Sequence, residues 1–268
     1  MRDAWRFAVG TFTALPVRAP EHVDRRVTGL AMLLAPATTV GAGLAWVVLA
    51  LVVGTGLLPA AVAATLALTV TTLQSRALHL DGLADLADGL TSGHDRERSL
   101  AVMRRGDTGP AGAAALVLVL LLDAACLTTL LRDPVGTALA VVALAASRLA
   151  CAVCARDGIP PARPEGLGQG VAGTVGRAQL VAASVGVATL AALAGLLAAH
   201  LARHGSSTWW LGAALSAAVV VAAVGGALAT RRHAVRRLGG ITGDVIGAAI
   251  EVSLAVGLVA ATIALSLA

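Results

Sequence analysis

Apolar stretches of about twenty residues recur along this chain, and they constrain its fold more than any other feature. A helix needs about 20 mostly apolar residues to cross a bilayer core. Seven such stretches can be drawn, at roughly 30–54, 58–78, 110–131, 134–154, 178–199, 208–229 and 246–267. Hydrophobic residues make up 57% of the 268 and charged residues 13%, which leaves too few polar side chains to coat a water-soluble globule. The expected fold is therefore all-α: a polytopic membrane helix bundle of about seven transmembrane helices, one membrane-embedded domain over residues 1–268 with the lipid bilayer as its solvent. Alanine and glycine within the spans favour close helix packing through small residues.

Charge gives this bundle an orientation. All 20 basic residues are arginine, and seventeen of them fall in alternate connections: before the first span, between the second and third, after the fourth and after the sixth. Only Arg132 and Arg203 lie in the other connections, and Arg148 sits near a helix end. The positive-inside bias then places the N-terminus and three large loops in the cytoplasm of a multi-pass protein of the cell membrane. A net charge of +5 raises the question of nucleic acid. Because the arginines flank spans and only 2% of residues are aromatic, anionic headgroups and phosphorylated substrates are the expected partners, and no nucleic acid.

Cys126, Cys151 and Cys154 all lie within spans and read as small apolar packers. The first twenty residues lack a sustained apolar core and read as a short interfacial helix stopped by Pro16, not as a cleavable signal. His200 and His204 are expected as solvated residues of the opposite end.

Chemistry gathers in the arginine-bearing loops. After the second span, LHLDGLADLADGL sets Asp81, Asp85 and Asp88 at i, i+4 and i+7, within about 60° of one helical face. Like charges so placed repel by a few tenths of a kcal/mol per pair, so a cation is expected to compensate them. Carboxylate oxygens suit Mg²⁺ or Mn²⁺, and magnesium typically uses one or two carboxylates plus substrate phosphates. Gly82 and Gly89 permit close approach beside the acids, and His79 stands two residues before Asp81.

Three further segments join them. In MRRGDTGPAG, Arg104, Arg105 and Asp107 occupy a turn ahead of a helix that opens at Pro110. Two guanidinium groups there can fork onto phosphate oxygens, or serve only as topogenic charge. Glu165 leads Gly166, Gly168 and Gly170 in a loop that reads as a cover for a ligand or as a plain connector. Gly240, Thr242, Gly243 and Asp244 open the last span, with Glu251 at i+7 from Asp244. A charge near mid-span costs roughly 2.5 to 3.5 kcal/mol, so Glu251 is expected to face the bundle interior. The same holds for Asp123, whose role as helix pairing or chemistry stays open.

Together these strings resemble the cobalamin synthases, or adenosylcobinamide-GDP ribazoletransferases, from FTALPV through LHLDGLADLADGL, MRRGDTGPAG and EGLGQG to GGITGDVIGAAIE. The resemblance implies that a hydroxyl of α-ribazole, or of its 5'-phosphate, attacks the cobinamide-bound phosphorus of adenosylcobinamide-GDP and that GMP leaves. It implies Mg²⁺ held by Asp81, Asp85 and Asp88, catalysis by these acids and Asp244, and a site on the cytoplasmic side. Substrate contacts would come from His79, Arg104, Arg105, Asp107, Glu165, Gly166, Gly168, Gly240, Thr242, Gly243 and Glu251. Docking of other corrinoid-pathway proteins and the oligomeric state stay open.

Two positions depart from the family pattern. Acid and base are exchanged across Arg104–Asp107, and Leu254 stands where many members carry a second glutamate. The rival readings are a CDP-alcohol phosphotransferase and a transporter. The former lacks its alanine–arginine pair here, since Asp85 and Leu86 occupy those places. The latter lacks inverted repeats.

Overall fold

The computed structural model describes residues 1–93, 95–201 and 209–267. The chain runs through α1 (Arg2–Phe12), α2 (Arg25–Leu34), a 3₁₀ turn (Ala35–Thr39), α3 (Val40–Gly54), α4 (Ala60–Gln74), α5 (Leu78–Thr91) and α6 (Arg96–Val102). It continues through α7 (Pro110–Leu130), α8 (Pro134–Ser147), α9 (Leu149–Cys154), α10 (Leu167–Val171), α11 (Arg177–Leu201), α12 (Trp209–Leu238) and α13 (Gly243–Ser266). Among the described residues six helical stretches are long and apolar enough to cross a membrane, and α4 is a shorter apolar helix. The chain is thus an all-α, multi-pass membrane bundle.

Several expected spans are interrupted. The first is two helices hinged at Ala35–Thr39, where Pro36 removes an amide donor and crowds the preceding turn. The second ends at Gln74; Arg76 and Ala77 follow with φ of 55° and 58°, a left-handed conformation that non-glycine residues seldom adopt. The fourth is broken at Arg148 into α8 and α9. The sixth overruns its expected end, since α12 stays helical to Leu238 and carries Arg231, Arg232, Arg236 and Arg237 on helix, not loop.

Position in the bundle follows from apolarity on all sides or on one. The stretch Pro134–Cys154 is 83% buried and α13 61% buried over its most apolar window, so these form the centre. Only 11% of the corresponding α11 window is buried, and Val185, Leu190, Leu193 and Leu197 face outward. With Leu44, Val48 and Leu51 of α3 and Leu118 and Leu121 of α7, they make an apolar belt that water would penalise and lipid accepts. Cys151 and Cys154 are fully buried and free, as packers would be. His200 is exposed, and His204 lies outside the described residues.

The arginine-bearing connections lie together at one end, tied by guanidinium donors to backbone carbonyls, most of them near helix ends. Arg96 Nε donates to Leu238 O (2.7 Å) and Arg237 Nη2 to Leu90 O (3.1 Å), so α12 and the α5–α6 corner hold each other. Arg163 Nη2 reaches Leu100 O (3.1 Å), and Arg25 Nη2 reaches Gly173 O (2.9 Å). Arg76 Nη2 donates to Gly10 O (2.9 Å), which ties α1 to the break after α4.

Candidate functional site

The charged end is organised by a close crossing of α5 and α13. A Cβ on Gly82 would lie 2.7 Å from the Asp244 carbonyl oxygen, and one on Gly247 would lie 3.1 Å from that of His79. The helices therefore run antiparallel, touching backbone to backbone, and glycine at both places is what lets Asp244 stand beside the α5 acids. Thr242 caps α13: its Oγ1 accepts from Val245 N (3.2 Å) and donates to Asp244 Oδ2 (3.2 Å). Arg163 Nη1 stands 3.8 Å from Asp244 Oδ2.

Asp81 is exposed and Asp85 half-buried on the same α5 face. Burial first, then the charges of Asp81 and Asp244 against the pull of Arg163, and last Asp88, push Asp85 up to about 6. Excess negative charge thus gathers at Asp81, Asp85 and Asp244, with Arg163 as the opposing side chain.

Asp88 has a different task. It is buried, and its two oxygens accept from Gly109 N (2.7 Å) and Gly112 N (2.9 Å) at the start of α7. These amides are among the first-turn donors that a helix cannot satisfy internally. Asp88 is thus turned toward the α7 N-terminus, while Asp81 and Asp85 stand nearer Asp244. Among the described residues no three His, Cys, Asp or Glu side chains form a group that could hold an ion.

The remaining expected residues divide into three groups. Arg104 Nη2 pairs with Glu165 Oε1 at 2.9 Å, both exposed, so two loops distant in sequence meet over this end; Arg105 and Asp107 are exposed nearby in the chain. Gly166, Gly168, Gly240 and Gly243 act through backbone. Gly166 takes φ 83°, and a Cβ on Gly168 would meet Ile241 O at 2.6 Å. A Cβ on Gly240 would meet Pro160 O at 2.5 Å, and Gly243 begins α13. The loop at 165–170 thus rests directly on the turn that presents Asp244.

His79 and Glu251 form the third group, beneath the crossing. Both are buried, with His79 Nδ1 and Glu251 Oε1 3.7 Å apart, and neither imidazole nitrogen has a hydrogen-bond partner among the described residues. Arg148 is buried as well. Asp123 is 1% exposed, and both its carboxylate oxygens also lack a partner among the described residues. Sequence reasoning assigned no site role to Arg163 or Arg148. Along the chain both read only as charge, and no local spacing links Arg163 to Asp244.

A profile of the cobalamin-5-phosphate synthase family matches residues 4–262. The chain belongs to the cobalamin-5-phosphate synthase family. It is 44% identical over 261 residues to an adenosylcobinamide-GDP ribazoletransferase of Nocardioides sp., covering 97% of this chain and 98% of the relative. Relatives of the same name from Frankia casuarinae (40% identical, 93% and 91% covered) and Pseudomonas putida strain W619 (36%, 95% and 98%) also match over nearly their whole length. No solved structure matches the chain. The charged end described above lies inside the matched region from Gly10 to Glu251.

Proposed function

We propose that this chain is an adenosylcobinamide-GDP ribazoletransferase of the cell membrane, acting on its cytoplasmic side late in cobalamin biosynthesis. The observation that carries the reading is family membership across residues 4–262, joined to the gathering of Asp81, Asp85 and Asp244 opposed by Arg163. The arginine bias of the connections at that end supports its cytoplasmic placement.

In the reaction, a hydroxyl oxygen of α-ribazole, or of its 5'-phosphate, bonds to the cobinamide-bound phosphorus. The bond from that phosphorus to the bridging oxygen breaks, GMP leaves with the electron pair, and the hydroxyl proton is released. Catalysis of such transfers consists mainly of positioning and of stabilising charge on the leaving phosphate.

The donor set at the α5–α13 crossing fits a hard divalent cation: Asp81 and Asp85 would hold Mg²⁺, with substrate phosphates completing its shell, as magnesium prefers. Bound there, the ion would neutralise charge building on the diphosphate. Asp244, fixed by Thr242 and Arg163, orients the cluster. Arg104 and Arg105 reach toward phosphate from the loop above, Arg104 exchanging its Glu165 partner for the anion. His79 and Glu251 set the polar floor beneath.

The test incubates purified protein with adenosylcobinamide-GDP, α-ribazole and Mg²⁺. Complete corrinoid and GMP should appear in equal amounts, and chelator should abolish both. GMP without a joined corrinoid, or full turnover in excess EDTA, would overturn the assignment or its metal.

A further inference from the structure

We propose that an anionic phospholipid docks at one corner of the arginine-rich end, its phosphate held by Arg156, Arg177 and Arg232 and its acyl chains lying along α11 and α12. Backbone ties bring these arginines together from separate segments. Arg156, just past α9, forms an isolated bridge with Val175, in which Val175 N donates to Ala155 O (3.0 Å) and Asp157 N to Val175 O (2.7 Å). Arg177 follows two residues later as the first residue of α11. From α12, buried Arg231 donates through Nη1 to Val153 O (3.0 Å), which sets its exposed neighbour Arg232 beside the end of α9.

The charge at this corner calls for an anion. Arg177 and Arg232 are exposed and Arg156 half-buried, and among the described residues none of the three joins an ion pair. Arg156 Nε donates to the backbone carbonyl of Asp157 (3.3 Å). The Asp157 carboxylate, the nearest acid along the chain, accepts instead from Gly158 N (2.9 Å). Guanidinium groups fork onto phosphate oxygens, so three of them from three segments suit one phosphate-bearing headgroup.

The surface beyond the arginines selects a lipid over a free anion or an acidic protein segment. A Cβ on Gly195, near the end of α11, would lie 2.5 Å from the carbonyl oxygen of Gly212, near the start of α12, so the two helices run antiparallel. Equal rise along both then brings Arg177 level with Thr230, within a turn of Arg232. On α11 the exposed Val181 and Val185 follow Arg177 at i+4 and i+8. On α12 the exposed Val221, Gly225 and Ala229 lead to Arg232 at i+4, i+8 and i+11, again one helical face. A Cβ on Gly225 would meet nothing within 4 Å, which leaves room for an acyl chain against the helix. Each helix thus shows an apolar strip that ends in arginine, matching a phosphate above hydrocarbon. The same corner closes the neck of the 157–176 connection, whose Gly168 rests on Ile241 and Thr242. A phosphate bridging Arg156 and Arg177 therefore also steadies the loop that supports the Asp244 turn.

Native mass spectrometry of the full chain in neutral detergent provides the test, with dioleoylphosphatidylglycerol and dioleoylphosphatidylcholine supplied in equal amounts. The parent protein should retain phosphatidylglycerol over phosphatidylcholine by about tenfold or more. In the combined variant Arg156→Gln, Arg177→Gln, Arg232→Gln that ratio should fall to within about twofold of unity. A second combined variant, Arg18→Gln, Arg26→Gln, Arg98→Gln, removes the same charge from other exposed positions and should keep the parental ratio. Equal loss in both combined variants would mean a diffuse positive field and overturn the built site. Release of the bound phosphatidylglycerol by millimolar inorganic phosphate would make the corner a plain anion site and overturn the lipid. A parent protein without preference between the two lipids overturns it as well, and leaves the arginines to an acidic protein segment. Should the combined variant fail to fold, Arg177→Gln alone, a change at one exposed position, should lower the ratio about threefold; an unchanged ratio there rejects the proposal.

Discussion

Asp81, Asp85 and Asp88 share a helix face, yet a carboxylate's partners decide its work. Asp88 satisfies two amides at the start of α7, and asparagine offers one acceptor oxygen for those two donors. Asp88→Asn should therefore lower stability by about 1–2 kcal/mol, read as a fall in melting temperature, while the Mg²⁺ concentration for half-maximal turnover stays near that of the parent. Asp81→Asn and Asp85→Asn should show the converse, a raised Mg²⁺ requirement with little change in melting. The sign of the pH effect follows from Asp85, pushed up to about 6. Below that pH its carboxyl carries a proton that competes with the cation, so the Mg²⁺ requirement should climb by about tenfold per unit as the medium is acidified. Asp85→Asn should abolish the inflection, and a requirement flat from pH 7 to 5 would remove Asp85 from the metal set. Helical spacing made the shared face legible in the sequence. The capping role was not, because Gly109 and Gly112 lie 21 and 24 residues further on and only the fold brings them back.

At the scale of elements, the α5–α13 crossing positions the chemistry, and it depends on the absence of a side chain at Gly82. Gly82→Val must part the helices or bend one of them, at an overpacking cost of about 1–3 kcal/mol. The parting also draws Asp81 and Asp85 away from Asp244. Turnover should fall by far more than the melting shift implies, and a substitution on the exposed face of α11, such as Val185→Ala, should affect neither. Full activity in Gly82→Val would mean that α5 and α13 need not touch for the reaction. Glycine flanking the acids was visible as a licence for close approach, though not which helix approaches. The hinge at Ala35–Thr39 had a signal in Pro36, whereas the break at Arg76–Ala77 had none. The left-handed pair is held locally by Ala77 N, which donates to Thr72 O (2.8 Å) at the end of α4, and from a distance by Arg76, which reaches Gly10 O.

At the scale of the molecule, arginine does two things that the sequence expresses as one. Its distribution over alternate connections orients the bundle, and its guanidinium groups then tie those connections together, Arg96 to α12, Arg163 to α6 and Arg25 to the loop after α10. The first role is compositional and can be read along the chain. The second depends on which helix ends meet, which no local pattern encodes. Both predict that single cysteines replacing Arg18, Arg98 and Glu165 will share one side of the membrane, opposite to cysteines replacing Leu57 and Arg132. All five positions are exposed, while Cys126, Cys151 and Cys154 are buried and should stay silent to a membrane-impermeant maleimide. In intact cells the reagent should label positions 57 and 132 alone, and 18, 98 and 165 only after permeabilisation. Labelling of 98 and 165 from opposite faces would separate Asp81 and Asp85 from the loop that rests on Asp244, and a single site at this end of the bundle could not stand.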